Sequence, residues 1–348
     1  MSSHLDYAEA GVIGLLQGIT ELFPISSLGH AVLIPAIVGG QWAQDLNVST
    51  KESPYLAYIV GLHVATALAM IIYFWRDWVR LIKAFFASLG HFASPEPGTR
   101  RFQPQGVDQT MIWMIILATI PVGLAGIALE HTFRTIFSKP LLTAAFLFMN
   151  GLMLLGGERL RRRGADEAAR QVAADQQMVA ERQRAGVAAG GYSGGGRHSS
   201  GQRAMKQEHA SLAIAADQRV TRIGFGNAIG LGASQILALL PGISRDGTVM
   251  VAGMFRGLSR HDAARFSFLL SAPVILAAGV LKIGDLTGPL GNGIRGEVLF
   301  GSLLSFLGAY FALRFLDRYL SNPARTLTPF AIYCLVAGAG CFIYLAVT

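Results

Sequence analysis

Polar residues interrupt apolar sequence at two places. Their side chains are of types that can catalyse proton transfer and bind anions. The first place, Gln17–His30, reads QGITELFPISSLGH, and the second, Gly232–Gly247, reads GASQILALLPGISRDG. Within a bilayer an Asp, Lys or Arg side chain costs about 2.5–3.5 kcal/mol on insertion scales, so that it needs a partner or a function. The candidates for function are therefore the ionisable residues of these stretches: Glu21, His30, Arg245 and Asp246.

The first stretch offers a carboxylate, two hydroxyls and an imidazole. Gln17 and Glu21 are four residues apart and share a helical face, where they could ligate a hard cation, orient a water or only hold two helices together. Ser26 and Ser27 lie at the break, where the free N–H groups of the next half-helix form an anion site and one serine is expected to cap that half-helix. Serine is a weak nucleophile unless a base takes its proton. His30 follows Ser27 by three residues and could act as this base.

The second stretch offers an anion clamp. Arg245 is always charged and its guanidinium forks onto phosphate or carboxylate oxygens. Its neighbours include glycines that let the backbone approach an anion closely. The candidate ligand contacts here are Gln235, Gly242, Ser244 and Gly247. The alternative is a plain ion pair of Arg245 with Glu21 or Asp246. Together the two stretches predict a ligand with a phosphate-like head group and a hydrophobic remainder.

The composition indicates a membrane protein. The chain has 348 residues, of which 52% are hydrophobic and 14% charged, and its mean hydropathy is +0.45. A soluble domain carries roughly 25% charged residues. Apolar runs of roughly 17–25 residues are long enough to span a bilayer as helices. We predict spans at Pro54–Trp75, Thr110–Leu129, Pro140–Gly156, Asp262–Ile283, Val298–Leu316 and Pro329–Thr348.

Two further apolar stretches, Ala10–Val38 and Ile223–Met254, are each broken by proline and polar residues, and each half is too short to cross a bilayer. Such breaks are tolerated at membrane depth only where protein or a water-filled cavity covers the freed backbone groups, so we predict two re-entrant hairpins. Three spans follow each hairpin. The predicted fold is an all-α polytopic membrane protein with an inverted repeat, each repeat being one re-entrant hairpin plus three transmembrane helices.

This organisation predicts three parts: a first membrane repeat at residues 1–157, a polar and flexible loop at 158–222, and a second membrane repeat at 223–348. Basic residues collect in the loop after the first span, in the 158–222 loop and in the loop before the last span, which places all three in the cytoplasm. The net charge of +8 belongs to these loops and does not indicate nucleic acid. The first hairpin then lies on the outer side and the second on the inner side. Cys334 and Cys341 are expected to be packing residues.

The two stretches resemble a known family. QGITELFPISSLGH is similar to the (E/Q)GxTE…PxSSxGH motif of the bacterial undecaprenyl-diphosphate phosphatases of the bacitracin-resistance type. GASQILALLPGISRDG is similar to that family's second motif, GxxQxLAxxPGxSRSG, and the resemblance continues through Gly257–Arg260, Ala263–Leu270 and Pro273. It covers the membrane part of the chain but not Glu158–Arg222.

The resemblance implies a multi-pass enzyme of the bacterial inner or plasma membrane that opens to the outer side. It would hydrolyse undecaprenyl diphosphate to undecaprenyl phosphate and inorganic phosphate, recycle the lipid carrier of peptidoglycan synthesis and confer bacitracin resistance, with Mg²⁺ or Ca²⁺ as cofactor. By motif position, Ser27 is the nucleophile, His30 its acid/base partner and Arg245 the diphosphate clamp. Glu21 and Gln17 would bind the metal ion or assist the hydrolysis of the diphosphate. Direct attack by water remains an alternative to attack by Ser27.

The sequence departs from the family pattern at two positions. Leu28 stands where threonine is common, and Asp246 stands where serine follows the arginine. Inverted repeats are also transporter architecture, so a flippase for the lipid carrier or another anion is the alternative function. The expected partners are the lipid diphosphate and the membrane, without nucleic acid and with a homodimer left open.

Overall fold

The computed structural model describes residues 5–46, 54–93, 104–129, 139–185, 213–281 and 293–348, and the regular structure in these ranges is helical. The helices are α1 (Tyr7–Leu22), α2 (Ser27–Val38), α3 (Gly40–Asp45), α4 (Pro54–Tyr73), α5 (Trp75–Ala93), α6 (Gly106–Ala128), α7 (Pro140–Ala185), α8 (213–221), α9 (Phe225–Ser234), α10 (Arg245–Phe255), α11 (Arg260–Leu281), α12 (Arg295–Ser321) and α13 (Thr328–Val347). A 3₁₀ helix, Gln235–Leu239, follows α9.

Within the described residues, five helices are long and apolar enough to cross a membrane: α6, the first half of α7, α11, α12 and α13. They coincide with the last five predicted spans, which confirms an all-helical protein of multi-pass type. The first predicted span, Pro54–Trp75, matches α4, which ends at Tyr73, and α5 then leaves α4 at an angle of 84°. This bent pair is the sixth candidate span.

Helix α5 occupies part of a region that we expected to be a loop. Its exposed apolar side chains recur at helical spacing and form one stripe: Trp75, Val79, Ile82, Phe86 and Leu89. Such an amphipathic pattern is typical of a helix that lies along a membrane surface. Arg76, Arg80 and Lys83 of this region therefore lie on a helix.

The two predicted breaks are present. The first broken segment consists of α1 and α2, and the second consists of α9, the 3₁₀ helix and α10. Ser26 Oγ accepts from the N–H of Gly29 at 3.2 Å, and Ser244 Oγ accepts from the N–H of Gly247 at 3.1 Å. The cap expected at one of the two neighbouring serines is thus confirmed at Ser26, which leaves the hydroxyl of Ser27 for other contacts.

The first arm of each broken segment packs against a helix from the other half of the chain. Helix α1 packs on α12, and α9 packs on α6. Small residues allow these close approaches: a Cβ at Gly18 would lie 2.2 Å from Ser305 O, and one at Gly232 would lie 1.9 Å from Ala118 O. In membrane proteins such contacts between small residues are a main source of helix association.

Buried ion pairs join the helices at one end of the bundle. Arg265 Nη2 lies 2.9 Å from Asp77 Oδ1 and its Nε lies 3.2 Å from Asp217 Oδ1. Arg80 also pairs with Asp217 and with Asp108. Asp217 belongs to the stretch 158–222 that we predicted to be a polar loop, so the end of that stretch is built into the bundle.

The start of the same stretch is built in as well. Glu158 is 1% exposed and pairs with Arg260, and its Oε2 accepts from the N–H of Leu327 at 3.4 Å. Helix α7 then continues to Ala185. The expected flexible centre of the loop, residues 186–212, lies outside the described residues.

Adding one methyl group at the α9–α6 contact tests this packing. We expect Gly232→Ala to lower the free energy of unfolding by about 1–3 kcal/mol, because the new Cβ meets the Ala118 backbone and one helix must move. Gly230→Ala in the same helix is the control, since a Cβ there has no neighbour within 4 Å among the described residues. Thermal unfolding in detergent measures both, and equal stability of the two variants would contradict the packing.

Candidate active site

The two broken segments meet at their breaks. Ser26 Oγ, besides capping α2, accepts a hydrogen bond of 3.1 Å from the backbone N–H of Gly242. The contact is so close that a Cβ at Gly29 would lie 3.0 Å from Gly242 Cα. Gly242 itself has φ +105° and faces the α7 backbone, where a Cβ would lie 2.5 Å from Thr143 O. A side chain is therefore excluded here by both conformation and space.

Asn150, a fully buried residue of α7, links both breaks. Its Nδ2 donates to Pro24 O at 2.9 Å, and its Oδ1 accepts from the N–H of Ser244 at 3.0 Å. One amide thus satisfies a freed backbone acceptor of the first break and a freed donor of the second. Sequence reasoning missed this residue; its signal was a lone amide within an otherwise apolar predicted span.

Ser26 holds an unusual backbone conformation, with φ 68°. Positive φ is uncommon for a residue with a side chain and persists only where its surroundings impose it. Here the surroundings are the hydrogen bonds of its Oγ to Gly29 and Gly242. The turn directs the next residue, Ser27, into a cavity.

Glu21 is the centre of the polar cluster that includes Ser27. Its Oε1 accepts from Arg245 of the second broken segment. Its Oε2 accepts from Ser27 Oγ and, at 2.9 Å, from Gln17 Nε2. The ion pair that we considered between Glu21 and Arg245 is therefore present, and the charge-assisted bonds compensate the desolvation of a carboxylate that is only 7% exposed.

His63 of α4 joins this cluster. Its Nε2 lies 3.5 Å from Glu21 Oε2 and 3.3 Å from Gln17 Nε2. Its Nδ1 lies 2.9 Å from Ile59 O, which can only accept, so Nδ1 carries a proton and Nε2 faces the cluster. His63 lies outside the two motif stretches, so it was not among the candidates for function. The α4 helix brings it opposite Glu21.

His30 does not join the cluster, contrary to its expected pairing with Ser27. Its Nδ1 lies 2.7 Å from Ser26 O and its Nε2 lies 2.7 Å from the hydroxyl of Tyr333. Its ring stacks on Tyr333 with a centroid distance of 5.7 Å. Among the described contacts, no hydrogen bond joins His30 and Ser27. The reason is helical geometry: His30 lies one turn after Ser26, so its ring folds back onto the Ser26 carbonyl.

Asp246 also faces away from the cluster. Its Oδ1 accepts from Ser267 Oγ at 2.6 Å and from Ser271 Oγ at 2.8 Å, both on α11. The alternative ion pair of Arg245 with Asp246 is not among the contacts of the described residues. The aspartate at this position therefore anchors α10 to α11.

The predicted backbone contacts to an anion need a correction at the two glycines. The N–H of Gly242 already donates to Ser26, and the N–H of Gly247 already donates to Ser244. Both groups are used to join and cap the broken segments. The polar residues of the second segment that line the cavity are Gln235, Ser244 and Arg245.

The cavity has a volume of about 300 Å³, a polar floor and apolar walls. The floor comprises Glu21, Ser26, Ser27, His63, Gln235, Ser244 and Arg245. The walls come from α4, α6 and α11 and include Ile59, Val60, Val122, Val274, Ile275 and Ala278. Leu28 also lines the cavity, so its departure from threonine replaces a hydroxyl by an apolar contact.

Gln235 gives independent evidence that a polar ligand enters. Its side chain is fully buried, and within the described residues neither Nε2 nor Oε1 has a hydrogen-bond partner. Buried amides are almost always satisfied, so this one awaits a partner from outside the chain. It lines the same cavity as Glu21 and Arg245.

A metal ion would find few protein ligands here. In the part of the chain that the structure describes, no three His, Cys, Asp or Glu residues are grouped to hold one. Glu21 is the carboxylate of the cavity. Mg²⁺ is commonly bound by one or two carboxylates together with substrate phosphates, so Glu21 is the residue of this lining that would hold such a cation.

Removing the Asn150 amide tests whether it joins the breaks. We expect Asn150→Ala to destabilise the protein by about 2–5 kcal/mol, because Pro24 O and the N–H of Ser244 both lose a buried partner. Asn227→Ala is the matched control, since the Asn227 amide bonds Ile223 O and an exposed arginine at the bundle surface. Thermal unfolding in detergent measures both, and a loss no larger than that of the control would refute the role of Asn150.

Comparison with known proteins identifies the family of the chain. Residues 10–189 and 200–340 match the family described as Bacitracin resistance protein BacA, so the match extends into the stretch that the motif resemblance left uncovered. The chain is 52% identical to an undecaprenyl-diphosphatase of Mycolicibacterium paratuberculosis, with 99% of each chain covered. It is 51% identical to one of Mycobacterium avium and 48% identical to undecaprenyl-diphosphatase 2 of Frankia alni, again with 99% of each chain covered. The family predicted from the two motifs is therefore confirmed: the chain belongs to the bacitracin resistance protein BacA family.

Proposed function

We propose that the protein is an undecaprenyl-diphosphate phosphatase, which hydrolyses undecaprenyl diphosphate to undecaprenyl phosphate and inorganic phosphate. The observation that carries the proposal is the cavity, whose polar floor holds Glu21, Ser27 and Arg245 beneath apolar walls. This division matches a lipid diphosphate, which has a charged head and a long hydrocarbon chain. The names of the relatives support the same reaction. In the cell it would recycle the lipid carrier of peptidoglycan synthesis and confer bacitracin resistance.

Substrate binding would use charge at the floor and apolar contact at the walls. Arg245 would donate two hydrogen bonds to the diphosphate oxygens, and the buried amide of Gln235 in the same lining would form further hydrogen bonds to the diphosphate. Ser244 and Arg245 lie at the start of α10, where the helix dipole also favours an anion. The prenyl chain would lie against α4, α6 and α11.

For the chemical step we propose attack by Ser27 with Glu21 as the base. Ser27 Oγ already donates its hydrogen bond to Glu21 Oε2. In the step, Oγ forms a bond to the terminal phosphorus, the proton passes to Glu21 and the bridging P–O bond breaks, which releases undecaprenyl phosphate. Water then hydrolyses the phosphoserine and releases inorganic phosphate. Direct attack by water, with Glu21 as base, is the competing route.

Charge stabilisation would supply most of the rate enhancement, as is general in phosphoryl transfer. Arg245 neutralises charge on the diphosphate, and His63 lies beside Glu21 where the proton arrives. His30 would act as a positioning residue, because it holds the Ser26 carbonyl next to Ser27. Glu21, oriented by Gln17, would hold a divalent cation, Mg²⁺ or Ca²⁺, together with the substrate phosphates. The cation would supply further neutralisation of phosphate charge.

We also propose the inverted-repeat topology and the orientation in the bacterial cell membrane. Reciprocal packing supports the repeat: α1 packs on α12 of the second half, and α9 packs on α6 of the first half. The cavity is lined by the first half of α4 and by the last halves of α6 and α11. If the basic loops are cytoplasmic, all three of these helix ends point outward, so that the cavity would receive lipid from the outer side.

Phosphate release from a short-chain prenyl diphosphate in detergent tests the function. We expect the purified protein to release inorganic phosphate, a chelator to abolish release, and Arg245→Ala to lower kcat/KM by at least about 100-fold because the clamp is lost. Arg256→Ala is the control, as this arginine bonds Asn227 at the surface. A protein that binds the lipid but releases no phosphate at any cation concentration would contradict the proposal and favour a flippase.

Substitution of the proposed nucleophile separates the two chemical routes. We expect Ser27→Ala to lower kcat by at least about 1000-fold, because the acceptor of the phosphoryl group is removed. Ser234→Ala is the control, since the Ser234 hydroxyl only donates to Leu231 O within its own helix. Acid quenching with labelled substrate should trap phosphoserine at Ser27 in the unmodified protein. Full activity of Ser27→Ala would exclude the covalent route and establish attack by water.

A further inference from the structure

We infer that the end of α12 and the turn after it bind the headgroup of an anionic phospholipid, at a site separate from the cavity described above. The site is a surface recess of about 450 Å³. Three arginines, three aromatic residues and Asn322 line it. The arginines are Arg314, Arg318 and Arg325.

Among the described residues, no carboxylate forms an ion pair that would neutralise the charge of these arginines. All three are exposed, and in the described part of the chain none of them forms an ion pair. The nearby carboxylate of Asp317 is already used, because it accepts from Tyr73 at 2.8 Å and pairs with His261 at 3.1 Å. Three uncompensated guanidinium groups around one recess fit a phosphate group.

The site is held in shape by its own contacts. Arg325 lies over the ring of Tyr319, with its Cζ 5.5 Å from the ring centroid. The Tyr319 hydroxyl donates to Thr326 O at 3.0 Å, which fastens the turn to the helix. Asn322 Oδ1 accepts from the N–H of Ala324 at 3.0 Å and shapes the turn itself. Arg325 is thereby placed next to the arginines of α12 before any ligand binds.

Apolar side chains continue from the recess along the same face of α12, and this identifies the ligand as a lipid. They are exposed and recur every three or four residues: Phe300, Leu303, Leu307, Phe311 and Phe315. The stripe is about 22 Å long at 1.5 Å per residue, which exceeds the roughly 15 Å of one leaflet's hydrocarbon. Acyl chains can lie along it while the phosphate reaches the arginines. The site would face the cytoplasmic leaflet in the proposed orientation.

Native mass spectrometry of the full chain in detergent, titrated with phosphatidylglycerol or phosphatidylcholine, tests the site. We expect the unmodified protein to bind phosphatidylglycerol more tightly than phosphatidylcholine. The triple variant Arg314→Gln, Arg318→Gln and Arg325→Gln should weaken phosphatidylglycerol binding by about 100-fold, since each basic residue contributes to anionic-lipid affinity. Arg318→Gln alone, as a milder change that keeps the fold, should weaken it by about fivefold.

The control removes the same charge elsewhere. Arg76, Arg222 and Arg256 are exposed arginines outside the recess, and their replacement by glutamine should weaken phosphatidylglycerol binding far less than the recess triple variant does. Equal losses in both triple variants would overturn the site and indicate a general charge effect, and so would equal binding of the two lipids. Displacement of phosphatidylglycerol by inorganic phosphate would overturn the assignment to a lipid and point to a free phosphate ligand.

Discussion

Two chain breaks inside an apolar bundle leave backbone groups that water cannot satisfy, and the rest of the structure depends on how they are satisfied. Hydrogen bonds between the two breaks satisfy these groups. The N–H of Gly242 in the second break donates to Ser26 in the first, while Asn150 donates to Pro24 O and accepts from the N–H of Ser244. Neither break is complete alone, so each segment folds to its final form only against the other.

The contact between the two breaks determines the geometry of the candidate site. Ser26 keeps a positive φ because two N–H groups hold its hydroxyl, and the resulting turn places Ser27 against Glu21. The second segment then brings Arg245 to the other oxygen of the same carboxylate. A carboxylate this deeply buried is tolerated because charged and polar donors surround it. The same donors form the floor on which a diphosphate would rest.

The opposite end of the bundle is joined by different means. Arg80 and Arg265 share the buried carboxylate of Asp217, and Glu158 pairs with Arg260. These pairs bind the two ends of the stretch 158–222 to the membrane helices. Residues expected to be a solvated loop are therefore part of the structural framework. The arginines at the end of α12 differ, because they remain open to a ligand at the surface.

Most of the fold and the identity of the main chemical groups could be predicted from the sequence. Hydropathy and length predicted the helical class, five of the spans and both breaks. The reason is that a lipid bilayer requires long apolar helices and makes buried polar or charged residues costly. The same penalty singled out Glu21, His30, Arg245 and Asp246. The bend after Tyr73 could not be predicted in this way, because α5 is amphipathic and its direction depends on its neighbours.

Only the tertiary structure decided which of these groups act together. His30 lies close to Ser27 along the chain yet turns to Tyr333, whereas His63 reaches Glu21 from another helix. Asn150 likewise gains its role from contacts across the chain, and Gln235 gains its role from the cavity that separate helices form around it. The physical reason is that spacing along one helix determines which face a side chain occupies, but the packing of separate helices determines what that face meets.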